Sequence, residues 1–213
     1  MKRRLLAVGA LLLLGLRPAT AQVSVELLGG TALNLPTQLS IRQTGQPDIK
    51  FTAHYSTKPW EDTPYYSINM RIWKGNKGWM LGFIHHKLYL DNPPPEVQWF
   101  RITFGFNIFT VGRGWRKGNF IYSISLGPVV THAFNSVRGR QHLGRGGPFN
   151  KGYTLSGGTV TGSAQYRLGL GAASYLALQA LLSTSYIEVR VSGGRAHVPN
   201  AALHLNVGLG HSF

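Results

Sequence analysis

The chain has 213 residues, with 22 Lys or Arg against 7 Asp or Glu, and no cysteine. The lack of thiols excludes a disulfide framework and thiolate chemistry, and so basic a balance calls for an anionic partner. Beyond the first 21 residues no apolar run approaches the ~20 residues that a spanning helix needs.

Met1-Lys2-Arg3-Arg4 is a basic n-region, Leu5 to Leu16 an apolar h-region, and Ala19-Thr20-Ala21 a small-x-small cleavage site. Together they predict a cleavable signal peptide over 1–21 and a mature domain over 22–213. The apolar stretch is too short for an anchor helix and is broken by Arg17-Pro18. Removing Lys2, Arg3, Arg4 and Arg17 leaves 18 basic residues against 7 acidic ones. Export argues against nucleic acid as the partner and favours the phosphates of lipopolysaccharide or anionic lipid.

The mature sequence alternates with a period of two, in segments punctuated by Gly, Asn and Pro. Ile49, Phe51, Ala53 and Tyr55 alternate with Lys50, Thr52, His54 and Ser56, and Tyr66, Ile68, Met70 and Ile72 with Ser67, Asn69 and Arg71. Phe100, Ile102, Phe104, Phe106 and Ile108 share one face, opposite Arg101, Thr103, Gly105 and Asn107. The segments 119–131 and 159–168 repeat the pattern. A soluble sandwich also alternates, but here the apolar faces are long and aromatic while the opposite faces are small and polar. Segments of this length suit tilted membrane strands, and only a closed barrel satisfies every backbone group in lipid. The expected fold is all-β, an antiparallel up-and-down transmembrane barrel with apolar residues outward and polar residues inward.

About ten strands are predicted, near 22–33, 38–43, 48–56, 64–73, 78–90, 97–112, 118–131, 153–168, 173–190 and 198–213. Periplasmic turns are expected at 44–47, 74–77, 113–117 and 169–172, and the longest outward loop at 132–152. Because 38–43 is short, eight strands is the alternative if the first hairpin does not span.

In the last segment Leu203, Leu205, Val207, Leu209, His211 and Phe213 share a face and end on an aromatic residue. With the signal and the alternation, this resembles the small outer-membrane β-barrel superfamily, the outer membrane protein A/X/W-like barrels, over nearly the whole chain. The resemblance implies that Leu205, Val207, Leu209 and Phe213 form the signal read by the barrel-assembly machinery. It also implies periplasmic chaperones as transient partners and a bacterial outer-membrane location. His211 departs from the usual apolar residue. The expected assembly is a monomer.

The inward faces are expected to collect Arg42, Lys50, His54, Arg71, His86, Arg101 and Arg167, with Glu26 as the inward acid. Such charges must be hydrated or paired, as an anion-attracting lumen or a polar plug. His85 and His86 point to opposite faces and cannot chelate one metal together, so neither a metal site nor a cofactor is expected. His85 and Lys87 share the Trp79, Leu81 and Phe83 face, where cations could meet lipopolysaccharide phosphate beside Tyr89. Arg138, Arg140, His142, Arg145 and Lys151 make the 132–152 loop wholly basic, a second candidate for that contact. Asp91 and Glu96 bracket a stiff Pro-rich turn. His54 and Ser56, two apart on one strand face, are a weak candidate pair for hydroxyl activation. The reading favours a non-enzymatic barrel with a structural, lipopolysaccharide-binding or surface-interaction role. A lipid A-modifying enzyme of the deacylase or acyltransferase type is the first alternative, and a small pore or carrier for anionic or apolar solutes the second.

Overall fold

A computed structural model describes residues 22–144 and 152–213. The expected signal peptide, together with Arg145 and Lys151, lies outside the described residues. The strands are β1 (Gln22–Leu35), β2 (Thr37–Gln43), β3 (Ile49–Ala53), β4 (Tyr55–Ser56), β5 (Tyr66–Lys74), β6 (Lys77–Leu90), β7 (Val97–Lys117), β8 (Phe120–Val137), β9 (Arg140–Leu143), β10 (Thr154–Gly169), β11 (Ser174–Val191) and β12 (Gly194–Ser212). Eight of them form one antiparallel ring, β1-β5-β6-β7-β8-β10-β11-β12, which closes as β12 pairs back on β1 from Ser24↔Ser212 to Leu35↔Ala201. Closure leaves no free edge in the wall. The smaller of the two strand counts therefore describes the ring.

Tight turns join β5 to β6, β7 to β8 and β10 to β11 at the end that also holds Gln22 and Phe213, whose N–H donates to the Val23 carbonyl at 2.8 Å. The longer connections lie at the other end. Short turns mark the periplasmic side of such barrels and longer loops the outer side.

The segments 38–43 and 48–56 do not span. Beyond Ala201, β12 extends past the end of β1 and exposes an unpaired edge, which β2 takes up from Gly194↔Gln43 to His197↔Ser40. β3 then pairs with β2, and the pair forms an outer hairpin. The 44–47 turn expected on the periplasmic side is the tip of this hairpin. The turn expected at 113–117 sits slightly later, between Lys117 and Phe120, because β7 runs through to Lys117.

The wall faces outward with large apolar side chains on every ring strand. Leu27 is 61% exposed, Leu126 61%, Leu182 60% and Leu209 62%. A soluble sandwich would bury such a band, whereas a barrel in lipid presents it. Trp79, Trp115, Phe120 and Tyr122 gather near the periplasmic end of the band, where amphipathic aromatics suit a membrane interface.

Two layers fill the interior. Toward the periplasm it is polar and hydrogen-bonded. Toward the outside it is packed like a soluble core, joining Leu39, Ile41, Phe106, Ile108, Val189 and Val198 in one buried cluster. The outer stretch of β7 consequently reverses the expected phase: Phe100, Ile102, Phe106 and Ile108 point inward, each at most 2% exposed. Only Phe104 of that set faces out, at a register shift between Ile102 and Phe106 where Gly105 takes φ 150°. Few residues other than glycine adopt that conformation.

Candidate functional site

Glu26, on β1, is the hub of the inner layer. Its Oε1 accepts bonds from Gln165 Nε2 (2.7 Å), Tyr175 Oη (2.9 Å) and Arg167 Nη2 (3.0 Å). Its Oε2 accepts from Asn69 Nδ2 (3.3 Å) and forms a close ion pair with Arg71. Arg71 Nη2 donates in turn to Gln165 Oε1 (2.8 Å), and Asn206 Nδ2 to Gln179 Oε1 (2.9 Å). One carboxylate thus ties β1 to β5, β10 and β11 across the lumen. Two guanidiniums share it, and hydrogen bonds to its other lone pairs are what make such a buried group tolerable.

Below this hub, Trp73 is fully buried and donates from Nε1 to Ser24 Oγ (3.2 Å). The ring fits because Gly78 has no side chain: a Cβ there would sit 2.8 Å from Trp73 Cε3.

Above the hub lies a second polar cluster that parity alone could have found, because His204 and Asn206 alternate with the outward Leu203, Leu205 and Val207. His204 Nε2 meets Ser183 Oγ at 2.8 Å, and Nδ1 meets Tyr65 Oη at 2.9 Å. The His86 ring lies 5.0 Å from that of His204, with Nε2 3.1 Å from Asn34 Oδ1. Tyr65 falls inside the strand predicted near 64–73, with the parity of Ser67, Asn69 and Arg71, so the same signal could have found it; in the structure it reaches in from the residue just before β5. His204, His86, Tyr65 and Ser183 are each at most 2% exposed, so nothing from solvent or lipid touches them.

Of the residues expected in the lumen, the structure places Glu26, Arg71, His86 and Arg167 inside the barrel. Arg42 is exposed on the outer hairpin, where it pairs with Asp48 at 3.3 Å. Lys50 (3.5 Å from Asp48) and His54 are exposed there too, because this segment never enters the wall. Arg101 faces outward, 5.7 Å from the Trp99 and Phe134 rings, as the reversed phase of β7 requires.

His85 and Lys87 do not stand free at the lipid boundary. His85 stacks on Tyr66 and bonds Asn107 Oδ1 at 2.8 Å. Lys87 sits at a bulge between His86 and Leu88, and its ammonium donates to the Lys58 carbonyl (2.7 Å) and to that of Glu61. A loop covers it, so its charge is committed to backbone. Ser56 Oγ donates to Asp91 Oδ1 (2.8 Å), and His54 makes backbone bonds to Asp91 and Asn92. No hydrogen bond joins His54 to Ser56 among the described residues.

At the outer rim Arg138 heads a tight turn with Gly139, at φ 51° and 69°. Its guanidinium donates to Gln43 Oε1 and to the Pro47 carbonyl, both at 2.8 Å, pinning the tip of the β2–β3 hairpin. Arg138, the exposed Arg140, Gln43 and Gln46 line a depression of about 140 Å³. At the far end of the chain Leu205, Val207, Leu209 and Phe213 all point outward, Phe213 at 74% exposure.

A closed antiparallel ring, apolar outside and ionic within, is the build of one class of protein. The chain folds as a small transmembrane-type β-barrel. No protein-family model matches it, and no curated protein sequence matches it. Several solved structures are similar in shape. The outer membrane protein AlkL in lipid bilayers is 10% identical, with 91% of this chain and 90% of that one covered and a TM-score of 0.49. The outer membrane protein OprG of Pseudomonas aeruginosa is 11% identical, with 91% and 96% covered and a TM-score of 0.47. The attachment invasion locus protein Ail of Yersinia pestis is 11% identical, with 91% and 97% covered and a TM-score of 0.38.

Proposed function

We propose that this barrel is a non-enzymatic outer-membrane protein whose outer rim holds lipopolysaccharide phosphate. The supporting observation is the Arg138–Arg140 depression, set on a rigid rim above a filled lumen. Arg138 uses two guanidinium donors internally, and a guanidinium has five. The remainder, with Arg140, suit a bidentate phosphate contact. The filled interior favours this role over a conducting pore, and the seclusion of Ser183 and His204 disfavours a hydroxyl nucleophile there.

Binding of the detergent-folded protein to lipopolysaccharide, with and without its phosphates, tests the reading. Each cation near such a surface contributes ~1 kcal/mol, so Arg140→Gln should weaken binding roughly fivefold. Equal affinity for dephosphorylated lipopolysaccharide would overturn it. An altered lipid A acyl pattern in expressing cells would support the enzymatic alternative, and discrete conductance steps in planar bilayers the pore.

A further inference from the structure

The largest unopposed charge lies at the other end of the barrel. Lys74, Lys77, Arg113, Arg116 and Lys117 all sit on the periplasmic rim, between the end of β5 and the start of β8. Of the chain's 7 acids, Glu26 is in the lumen, while Asp48, Glu61, Asp62, Asp91, Glu96 and Glu188 belong to the outer half. None of these five rim cations makes an ion pair among the described residues.

Three of the cations converge. Lys74 and Lys77 are direct cross-strand partners at the β5–β6 turn, an arrangement of like charges that is destabilising by itself. Ile72 and Trp79 form the next outward pair, and Trp79 is paired on its other side with Arg113, whose guanidinium lies 4.6 Å from the indole ring. Between them is a surface depression of about 430 Å³, apolar at Ile72 and Trp79, cationic toward the periplasm at Lys74 and Lys77, and flanked by Arg113 level with Trp79. Arg116 is occupied elsewhere, donating to Gln22 Oε1 and to the Gly75 carbonyl, both at 3.1 Å.

We propose that this depression is a site for one anionic phospholipid of the periplasmic leaflet. Its phosphate sits among Lys74, Lys77 and Arg113, and its first acyl segment lies over Ile72 and Trp79. A lipid matches both halves of the depression, whereas a free phosphate gains nothing from Ile72 and Trp79, which are 40% and 56% exposed. A bound headgroup also relieves the Lys74–Lys77 repulsion, and the charge-assisted bonds it accepts are the strong kind.

The test is native mass spectrometry of the whole protein released from neutral detergent with phosphatidylglycerol or phosphatidylcholine. Phosphatidylglycerol should be retained in preference, as a single adduct. At ~1 kcal/mol per cation, Lys77→Gln/Arg113→Gln should lower its affinity roughly 25-fold. Lys117→Gln, on the same rim but outside the depression, should leave affinity within about twofold. Heat-shifted gel mobility verifies that each variant is folded. As a measurement independent of the variants, phosphatidylglycerol with brominated chains should quench tryptophan fluorescence of the native protein more than brominated phosphatidylcholine does. Equal retention of the two lipids, an equal loss in Lys117→Gln, or displacement of the lipid by millimolar inorganic phosphate would each overturn the proposal. Arg140→Gln should leave this binding unchanged, so failure here and failure of the lipopolysaccharide reading are separate results.

Discussion

Glu26→Gln isolates what the inner hub contributes. A glutamine keeps the shape, and its carbonyl can still accept from Gln165, Tyr175 and Arg167 on the Oε1 side. Its amide NH2 then occupies the Oε2 position and meets two donors, Arg71 and Asn69. Arg71, fully buried, loses its counter-charge and retains the bond to Gln165 at 2.8 Å. Removing one partner of a buried pair costs ~3–5 kcal/mol, because the other charge is left uncompensated. With a urea slope of ~1–3 kcal/mol/M, the unfolding midpoint should fall by roughly 2 M. The assay is urea unfolding in lipid vesicles, followed by tryptophan fluorescence and by heat-shifted mobility. Arg71→Gln in the same background should recover part of the loss, with non-additivity of about 2 kcal/mol. A Glu26→Gln protein that unfolds within ~0.5 kcal/mol of wild type would refute the idea that this carboxylate holds the lumen together.

The outer layer makes a contrasting pair. Phe106→Ala, in the buried cluster, should cost ~3–5 kcal/mol, whereas Arg101→Ala, on the outer face, should cost about 1 kcal/mol or less; equal urea midpoints would contradict the reversed phase of β7. Gly78→Leu should abolish heat-shifted mobility because its side chain meets the Trp73 ring, while Gly29→Ala, with nothing within 4 Å of its Cβ, should fold normally. Lys87→Met frees the loop that the ammonium holds at Lys58 and Glu61, so brief chymotrypsin treatment should cut after the exposed Trp60 faster than in wild type; an unchanged digest would deny that anchor.

The strands and their closure were legible in the sequence because the period-two alternation is a property of the chain itself. Which face turns inward is a different matter. Alternation is symmetric under inversion, so Phe100, Ile102, Phe106 and Ile108 looked lipid-facing when the outer lumen is in fact apolar. The same symmetry misplaced Arg101. The outer hairpin misled for a related reason: Leu39, Ile41 and Ile49 alternate as a spanning strand would, yet they cap an apolar core. In the inner half the assumption of polar residues inside holds, and there Glu26, Arg71 and Arg167 fall together. Lys87 was unreadable because its partners are loop carbonyls, which carry no side-chain signature. The periplasmic cations were visible singly, but their convergence depends on the pairing of β5, β6 and β7.

The position of Glu26 has a consequence for assembly. Its carboxylate sits on the first strand, and three of its donors, Gln165, Arg167 and Tyr175, come from β10 and β11. Until the seam between β1 and β12 forms, Glu26 has Arg71 of the neighbouring β5 beside it, but its second counter-charge, Arg167, stands toward the other edge of an open sheet. Inside a bilayer that separation is costly, and it vanishes on closure. The hub therefore acts as a latch: a half-built wall leaves Glu26 with only its β5 partners, and closure adds the Arg167 pair and the Gln165 and Tyr175 bonds together.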